Sequence, residues 1–286
     1  MTKTLICFLV IIASFSSIAQ KSVQVKHISE DINIDGILDE AAWENTTPAS
    51  EFWQYFPTDT IQAKNQTEIS MLYDDQKLYV GIKVYSSDNN YVIPSLRRDF
   101  RARGSDNITL MFDTFNDGAN AFLFGSNPAG VRREALVSGG GKSLRGFTTS
   151  WDAKWVGETK QYHGYYVCEW AIPLSAFKFR AGETKWRFNS YMFDTQSNER
   201  STWIQIPQNQ FIFNLGYMGE MVFEEPLGNS KSPISIIPYI NGLVGSDFES
   251  DDDFSDFKFG GDAKLTIGNS LNLDLTINPD FSQVEV

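Results

Sequence analysis

Trp151, Asp152 and Trp155 set two indoles and a carboxylate within one short stretch of chain. A pyranose ring has apolar C–H faces and a rim of hydroxyls, so a sugar site pairs an aromatic platform with side chains that hydrogen-bond the rim. In an extended strand, Trp151 and Trp155 lie an even number of positions apart and face the same side. Asn127, Arg132 and Arg133 come from a loop containing Pro128 and Gly130 and supply donors. Against this stands the ordinary fate of tryptophan, burial in a core, which is the expected place of Trp43.

Catalytic chemistry has weaker support. A glycosidase needs two carboxylates at a suitable separation, and Glu134, Asp152 and Glu169 are the candidates. The two histidines, His27 and His163, stand apart, and no Gly-x-Ser-x-Gly or His-Glu-x-x-His pattern occurs, which argues against a hydrolytic triad or a zinc site. No cofactor is expected. Glu249, Asp251, Asp252 and Asp253 could offer oxygens to calcium but lack the spacing and glycine of an EF-hand loop, so a loop between strands is the simpler reading. Asp113, Asn116 and Asp117 are explained by a hairpin turn. Arg97, Arg98, Arg101 and Arg103 could hold a sulfated or uronic-acid glycan, or form a solvated loop paired with Asp99 and Asp106.

The elements that must position these groups are strands. Ile69, Met71 and Tyr73 alternate with polar residues, Asp74-Asp75-Gln76 turns the chain, and Leu78, Val80, Ile82 and Val84 return. Ile108, Leu110 and Phe112 pair likewise with Phe122 and Phe124 across Asn116-Asp117-Gly118. Trp151–Glu158 is expected to pair with Tyr165–Ala171, and Trp186–Phe193 reads as a further strand. Short helical turns fit only near Asp39–Trp43 and Pro173–Phe177. Composition agrees with an aromatic-rich core, at 42% hydrophobic and 14% aromatic residues. The fold class is all-β: a jelly-roll-like β-sandwich over residues 21–225, with no disulfide, since Cys168 is the one cysteine beyond the leader.

That leader, residues 1–20, has the order of a secretory signal peptide, with Lys3, an apolar run Leu5–Ile12, and small residues up to Ala19. The net charge of −12 and a pI near 4.6 argue against nucleic acid as a partner. Residues 226–233, with two prolines, suit a linker. In residues 234–286 the pattern changes. Phe257, Phe259, Gly261, Ala263, Leu265 and Ile267 alternate with polar residues, as do Leu271, Leu273, Leu275 and Ile277, and Ile234–Val244 shows a weaker version. Strands of this kind fit an outer-membrane barrel or a soluble sheet with one wet face. Three strands cannot close a barrel, whose smallest forms have about eight, so a longer protein is expected.

The segment Ile34-Asp35-Gly36-Ile37-Leu38-Asp39-Glu40-Ala41-Ala42-Trp43 resembles the opening motif of family 9 carbohydrate-binding-module-like domains, and Ser105–Asp113 resembles their central strand. Asn127-Pro128-Ala129-Gly130, Ser150–Trp155 and Ala171–Phe177 are similar to a subgroup of Gram-negative envelope proteins in which this domain precedes an outer-membrane barrel, and Asn278–Glu285 is similar to a segment early in that barrel. The resemblance implies glycan recognition at the outer membrane, in the periplasm or at the cell surface, within carbohydrate catabolism. A glycoside-acting hydrolase and a structural or partner-docking envelope protein stay open as alternatives.

Overall fold

The computed structural model describes residues 20–228, 235–247, 252–267 and 271–278. The expected signal peptide lies outside these except for Gln20, whose Nε2 donates to the Met218 carbonyl. The strands and the one-turn α-helix in chain order are β1 (Ser22–His27), α1 (Ala41–Glu44), β2 (Trp53–Phe56), β3 (Thr67–Tyr73), β4 (Lys77–Tyr85), β5 (Asn107–Asp113), β6 (Ala121–Ser126), β7 (Arg132–Val137), β8 (Phe147–Thr148), β9 (Val156–Tyr162), β10 (Tyr165–Pro173), β11 (Lys185–Asp194), β12 (Glu199–Thr202) and β13 (Gly219–Phe223), followed by β14 (Ser235–Asp247), β15 (Asp252–Ile267) and β16 (Leu271–Ile277).

Strands β1 to β13 form a two-layer sandwich. The hydrogen-bonded order is β8-β7-β6-β5-β11-β13-β1-β3-β4-β10-β9, with β12 paired to β11 and β2 paired to β12. β1 joins the layers: Ser22–Val25 pair in parallel with β13, and Lys26 and His27 pair in parallel with β3. The turn at Asp74-Asp75-Gln76 is built as the sequence indicates, because Asp74 Oδ1 accepts from the backbone N–H groups of Gln76 and Lys77, both at 2.6 Å. Period-2 alternation then sends Val80 and Ile82 of β4, and Cys168, Trp170 and Ile172 of β10, into one core with Leu110, Phe112, Phe124, Trp186 and Phe188 of the other layer. Each such side chain contributes about 1.5–3 kcal/mol on burial.

Both outer faces are partly covered. Phe213, Leu215 and Met218 lie over Met111, Leu123, Ala135 and Tyr191, and Ile32 and Trp43 lie over Leu72, Tyr79 and Ala171. Trp43 is thus a core residue, as expected. Glu169 ties the opening motif down: its Oε2 accepts from the N–H groups of Asp35 at 2.9 Å and Gly36 at 3.0 Å, and its Oε1 from Trp43 Nε1 at 3.3 Å. Gly36 sits at φ +81° against Lys160, and a Cβ on Gly81 would stand 2.8 Å from Leu38, so both glycines permit the close docking.

One expected strand differs. Residues 151–155 form no ladder and β9 begins only at Val156, because backbone groups of Ala153 and Trp155 bond to side chains instead. At the other boundary, Leu227 is still buried in the sandwich core.

β14, β15 and β16 form a separate three-stranded antiparallel sheet. Its register places Ile240 opposite Phe259, Ile236 opposite Ala263, and Ala263 opposite Leu275. Directly opposed residues share a face, so one side carries Ile236, Ile240, Val244, Phe257, Phe259, Leu275 and Ile277, all exposed. On the reverse, Tyr239 lies across from Gly260 and donates its hydroxyl to the Asn278 carbonyl at 2.7 Å, while Thr276 donates to Asp262 at 2.8 Å.

Candidate functional site

β7 runs next to β6 at the rim of its layer, and its alternation sorts the candidate residues. Arg132, Glu134 and Leu136 are registered with Ser126, Phe124 and Phe122 on the inner face, whereas Arg133 and Ala135 point the other way. Arg132 and Arg133 therefore cannot serve one site, and the expectation that groups them is corrected. Arg133 is buried on the outer face between the rings of Phe100 and Phe147, and donates to Thr109 Oγ1 and the Tyr191 hydroxyl, each at 3.2 Å.

On the inner face, Glu134 is fully buried and organises the loop that replaces the expected strand. Its Oε1 accepts from Arg98 and from the Ala153 N–H at 3.2 Å, and its Oε2 accepts from Trp155 Nε1 at 3.3 Å. Burial raises its pKa, opposed by the Arg98 hydrogen bond and raised further by Asp152. Arg98 also donates to the Ala153 carbonyl at 2.8 Å and pairs with Asp152 at 2.9 Å. A line of alternating charge thus leads from buried Glu134 through Arg98 to Asp152, whose side chain is 79% exposed. Arg98 takes these partners and not Asp99 or Asp106, which accept backbone N–H groups instead.

The two tryptophans part company. Trp155 is 4% exposed and packed by Phe124, Trp170 and the guanidinium of Arg132, which also donates to the Trp155 carbonyl. It belongs to the core, so the two tryptophans do not form the exposed pair on one side of a strand that their spacing suggests. Trp151 is half-buried, its ring 5.3 Å from Phe122 and 5.6 Å from Phe124, beside the solvent-facing Asp152. Asn127 is fully buried, and its Oδ1 accepts from Ala129 and Val131, both at 3.0 Å, closing the Asn-Pro-Ala-Gly turn. Its Nδ2 has no hydrogen-bond partner among the described residues.

Glu134, Asp152 and Glu169 do not form one catalytic cluster. Glu169 lies on the outer face of the second layer, paired with Gly81 and Glu158, with both oxygens holding the opening motif. Among the described residues no group of three His, Cys, Asp or Glu is placed to hold a metal ion. Of the acidic run, Glu249 and Asp251 lie outside the described residues, and Asp252 and Asp253 are registered with Asp247 and Ser246 where β14 meets β15. In the sequence Arg98 stands within a basic run, and nothing local links it to a glutamate on another strand.

A family model described as carbohydrate family 9 binding domain-like matches residues 34–225. Among solved structures, the chain is similar to a carbohydrate binding module family 9 from Caldicellulosiruptor kristjanssonii in complex with cellotriose, at 18% identity and a TM-score of 0.48, covering 75% of this chain and 100% of that one. It is also similar to a candidate carbohydrate-binding protein from Bacteroides uniformis, at 12% identity and a TM-score of 0.57, covering 72% of this chain and 100% of that one. The second likeness is one of fold alone. No curated protein matches the chain.

Proposed function

The chain belongs to the carbohydrate family 9 binding domain-like family, and on that premise we propose that its sandwich recognises a glycan at the edge where Trp151, Asp152 and Arg98 meet solvent. The observation that carries this reading is the position of Trp151, braced from behind by Phe122 and Phe124 and flanked by an exposed acceptor and a half-exposed donor. An aromatic surface beside groups able to bond hydroxyls is what a sugar ring requires. Arg132 and Asn127 act behind this surface, positioning Trp155 and the 127–131 turn.

The same proposal places the protein in the cell envelope, exported by its leader and held in the outer membrane by a barrel that begins with β14–β16, in the service of carbohydrate catabolism. The apolar face running through Ile240, Phe259 and Ile277 supports this, since such a surface opposite one carrying Asn241, Asp262 and Thr276 suits lipid outside and a wet lumen inside. Hydrolysis is less well supported, because Glu134 and Glu169 are engaged by protein donors on different faces.

Isothermal titration of the full chain in detergent against a glycan panel tests the reading. Saturable binding that Trp151→Ala weakens is the expected result. Silence across the panel refutes glycan recognition, and turnover of a glycan selects the hydrolase.

A further inference from the structure

A second polar cavity lies away from Trp151, between the loop that precedes β5 and the turn joining β11 to β12. It has a volume of about 260 Å³ and is lined by Arg103, Phe193, Asp194, Asn198, Glu199 and Arg200, among others. That is slightly below the roughly 300–1,000 Å³ of drug-sized sites and suits a single sugar ring.

Its charged groups are not equivalent. Asp194 accepts from the Ser197 N–H at 3.0 Å and from Asn65 Nδ2 at 2.7 Å. Glu199 accepts from the Lys64 N–H at 2.9 Å and from Gln54 Nε2 at 2.7 Å. All four carboxylate oxygens are therefore tethered to the walls. The guanidinium of Arg200 lies between two aromatic rings, 5.0 Å from the centroid of Phe56 and 5.2 Å from that of Phe193, which fixes its plane. Neither Arg200 nor Arg103 forms an ion pair among the described residues. A guanidinium carries five N–H donors and no acceptor, so two of them lining one cavity supply it with a surplus of donors.

The complement of that surplus is an anion. A planar carboxylate accepts two parallel N–H bonds from arginine, a stronger and more directional contact than a sugar hydroxyl makes. In a protein of net charge −12, a polyanion is repelled at long range; at the cavity Arg103 and Arg200 balance Asp194 and Glu199, and Arg97 and Arg101 of the adjoining loop add positive charge beside it. Arg98, the fourth arginine of the run, is committed to Glu134 and Asp152.

We infer that this cavity, lined by Arg103 and Arg200 against Phe193, is a subsite for an acidic sugar, a hexuronate whose carboxylate meets the two guanidinia and whose hydroxyls donate to the remaining lone pairs of Asp194 and Glu199. The inference rests on the reading of the domain as glycan-binding but uses a different surface, so the two fail separately.

The test is titration of the full chain in detergent with three probes: an oligogalacturonate, its methyl-esterified neutral form, and a sulfated oligosaccharide lacking carboxylates. The oligogalacturonate is expected to bind at least about tenfold more tightly than the ester, as loss of a charge-assisted pair predicts, and to weaken as salt is raised. Arg103→Gln, on an exposed side chain, and Arg200→Gln should each erase that preference, whereas Trp151→Ala should leave it intact. Equal binding of acid and ester, or an unchanged preference in Arg103→Gln, overturns the inference. Equal or tighter binding of the sulfated probe overturns the carboxylate assignment. Neutral glycan binding that depends on Trp151, with no preference for the acid, removes this subsite and leaves the proposed function standing, while silence towards all three probes and the wider panel removes both.

Discussion

Trp155 donates its indole N–H to Oε2 of Glu134 at 3.3 Å, so the carboxylate that anchors the 151–155 loop also orients the ring that closes the core beneath it. Packing and electrostatics at this edge are therefore one unit, while Trp151, four residues earlier, stands outside it.

Substitution of the two tryptophans should separate these roles. Trp155→Ala removes a buried ring and is expected to cost about 3–5 kcal/mol in urea unfolding. Trp151→Ala should cost much less, yet weaken glycan binding several-fold, since one aromatic contact of this kind is worth about 1 kcal/mol or more. Equal destabilisation by both, with binding tracking the folded fraction, would return Trp151 to the core.

Arg98→Ala should leave Glu134 buried without its cation. Because Arg98 is 40% exposed, the expected cost near neutral pH is about 1–3 kcal/mol. The pH dependence gives the clearer signature. Glu134 already titrates above the ordinary carboxyl range through burial, and loss of the opposing arginine moves it further up. A carboxyl raised on folding contributes stability that is complete below its unfolded value of about 4.3 and is lost as pH rises through the folded value. The variant should therefore approach the wild type in stability as pH falls towards that value, and diverge from it above. Denaturation midpoints at pH 5 and pH 8 that differ from wild type by the same amount would count against the pairing.

Cys168 is fully buried, and burial pushes its thiol up to about 11, against the hydroxyls of Ser126 and Thr159. Since the thiolate is the reactive form, a disulfide reagent at pH 8 should leave the native protein unmodified and label it after unfolding in guanidinium. Rapid labelling of native protein would show that the β10 core opens.

For the three-stranded sheet, Ile240→Arg and Asn241→Arg form a matched pair on opposite faces. If Ile240 faces lipid near the bilayer midplane, its substitution should cost about 2–4 kcal/mol in membrane assembly, and that of Asn241 far less. Equal behaviour of the two would assign the sheet to a water-soluble fold.

Much of this fold is legible in the sequence because local chemistry decides it. Asp74-Asp75-Gln76 and Asn116-Asp117-Gly118 are turn sequences between runs of strict alternation, and the hairpins are where those signals place them. The 151–155 loop is not legible, since its conformation depends on Arg98, 55 positions from the Ala153 carbonyl it holds. Alternation alone, however, separates Arg132 from Arg133: neighbours on a strand face opposite sides. The aromatic bracket around Arg200 joins Phe56 to Phe193 across β2, β12 and β11, a closure that no short window of sequence displays.

β1 opens the sandwich and β13 closes it, and the two lie side by side in parallel, with Val23 beside Met221 and Val25 beside Phe223. A pull on the chain ahead of Ser22 and beyond Phe223 draws these strands past each other lengthwise. The evenly spaced bonds of a parallel ladder then carry the load together instead of opening one at a time. The seam between the domain's ends is thus a mechanical clamp, expected to yield in single-molecule stretching as one high-force event; stepwise peeling at low force would show that the clamp lies elsewhere. A domain fastened this way can transmit tension between its two ends without surrendering its fold.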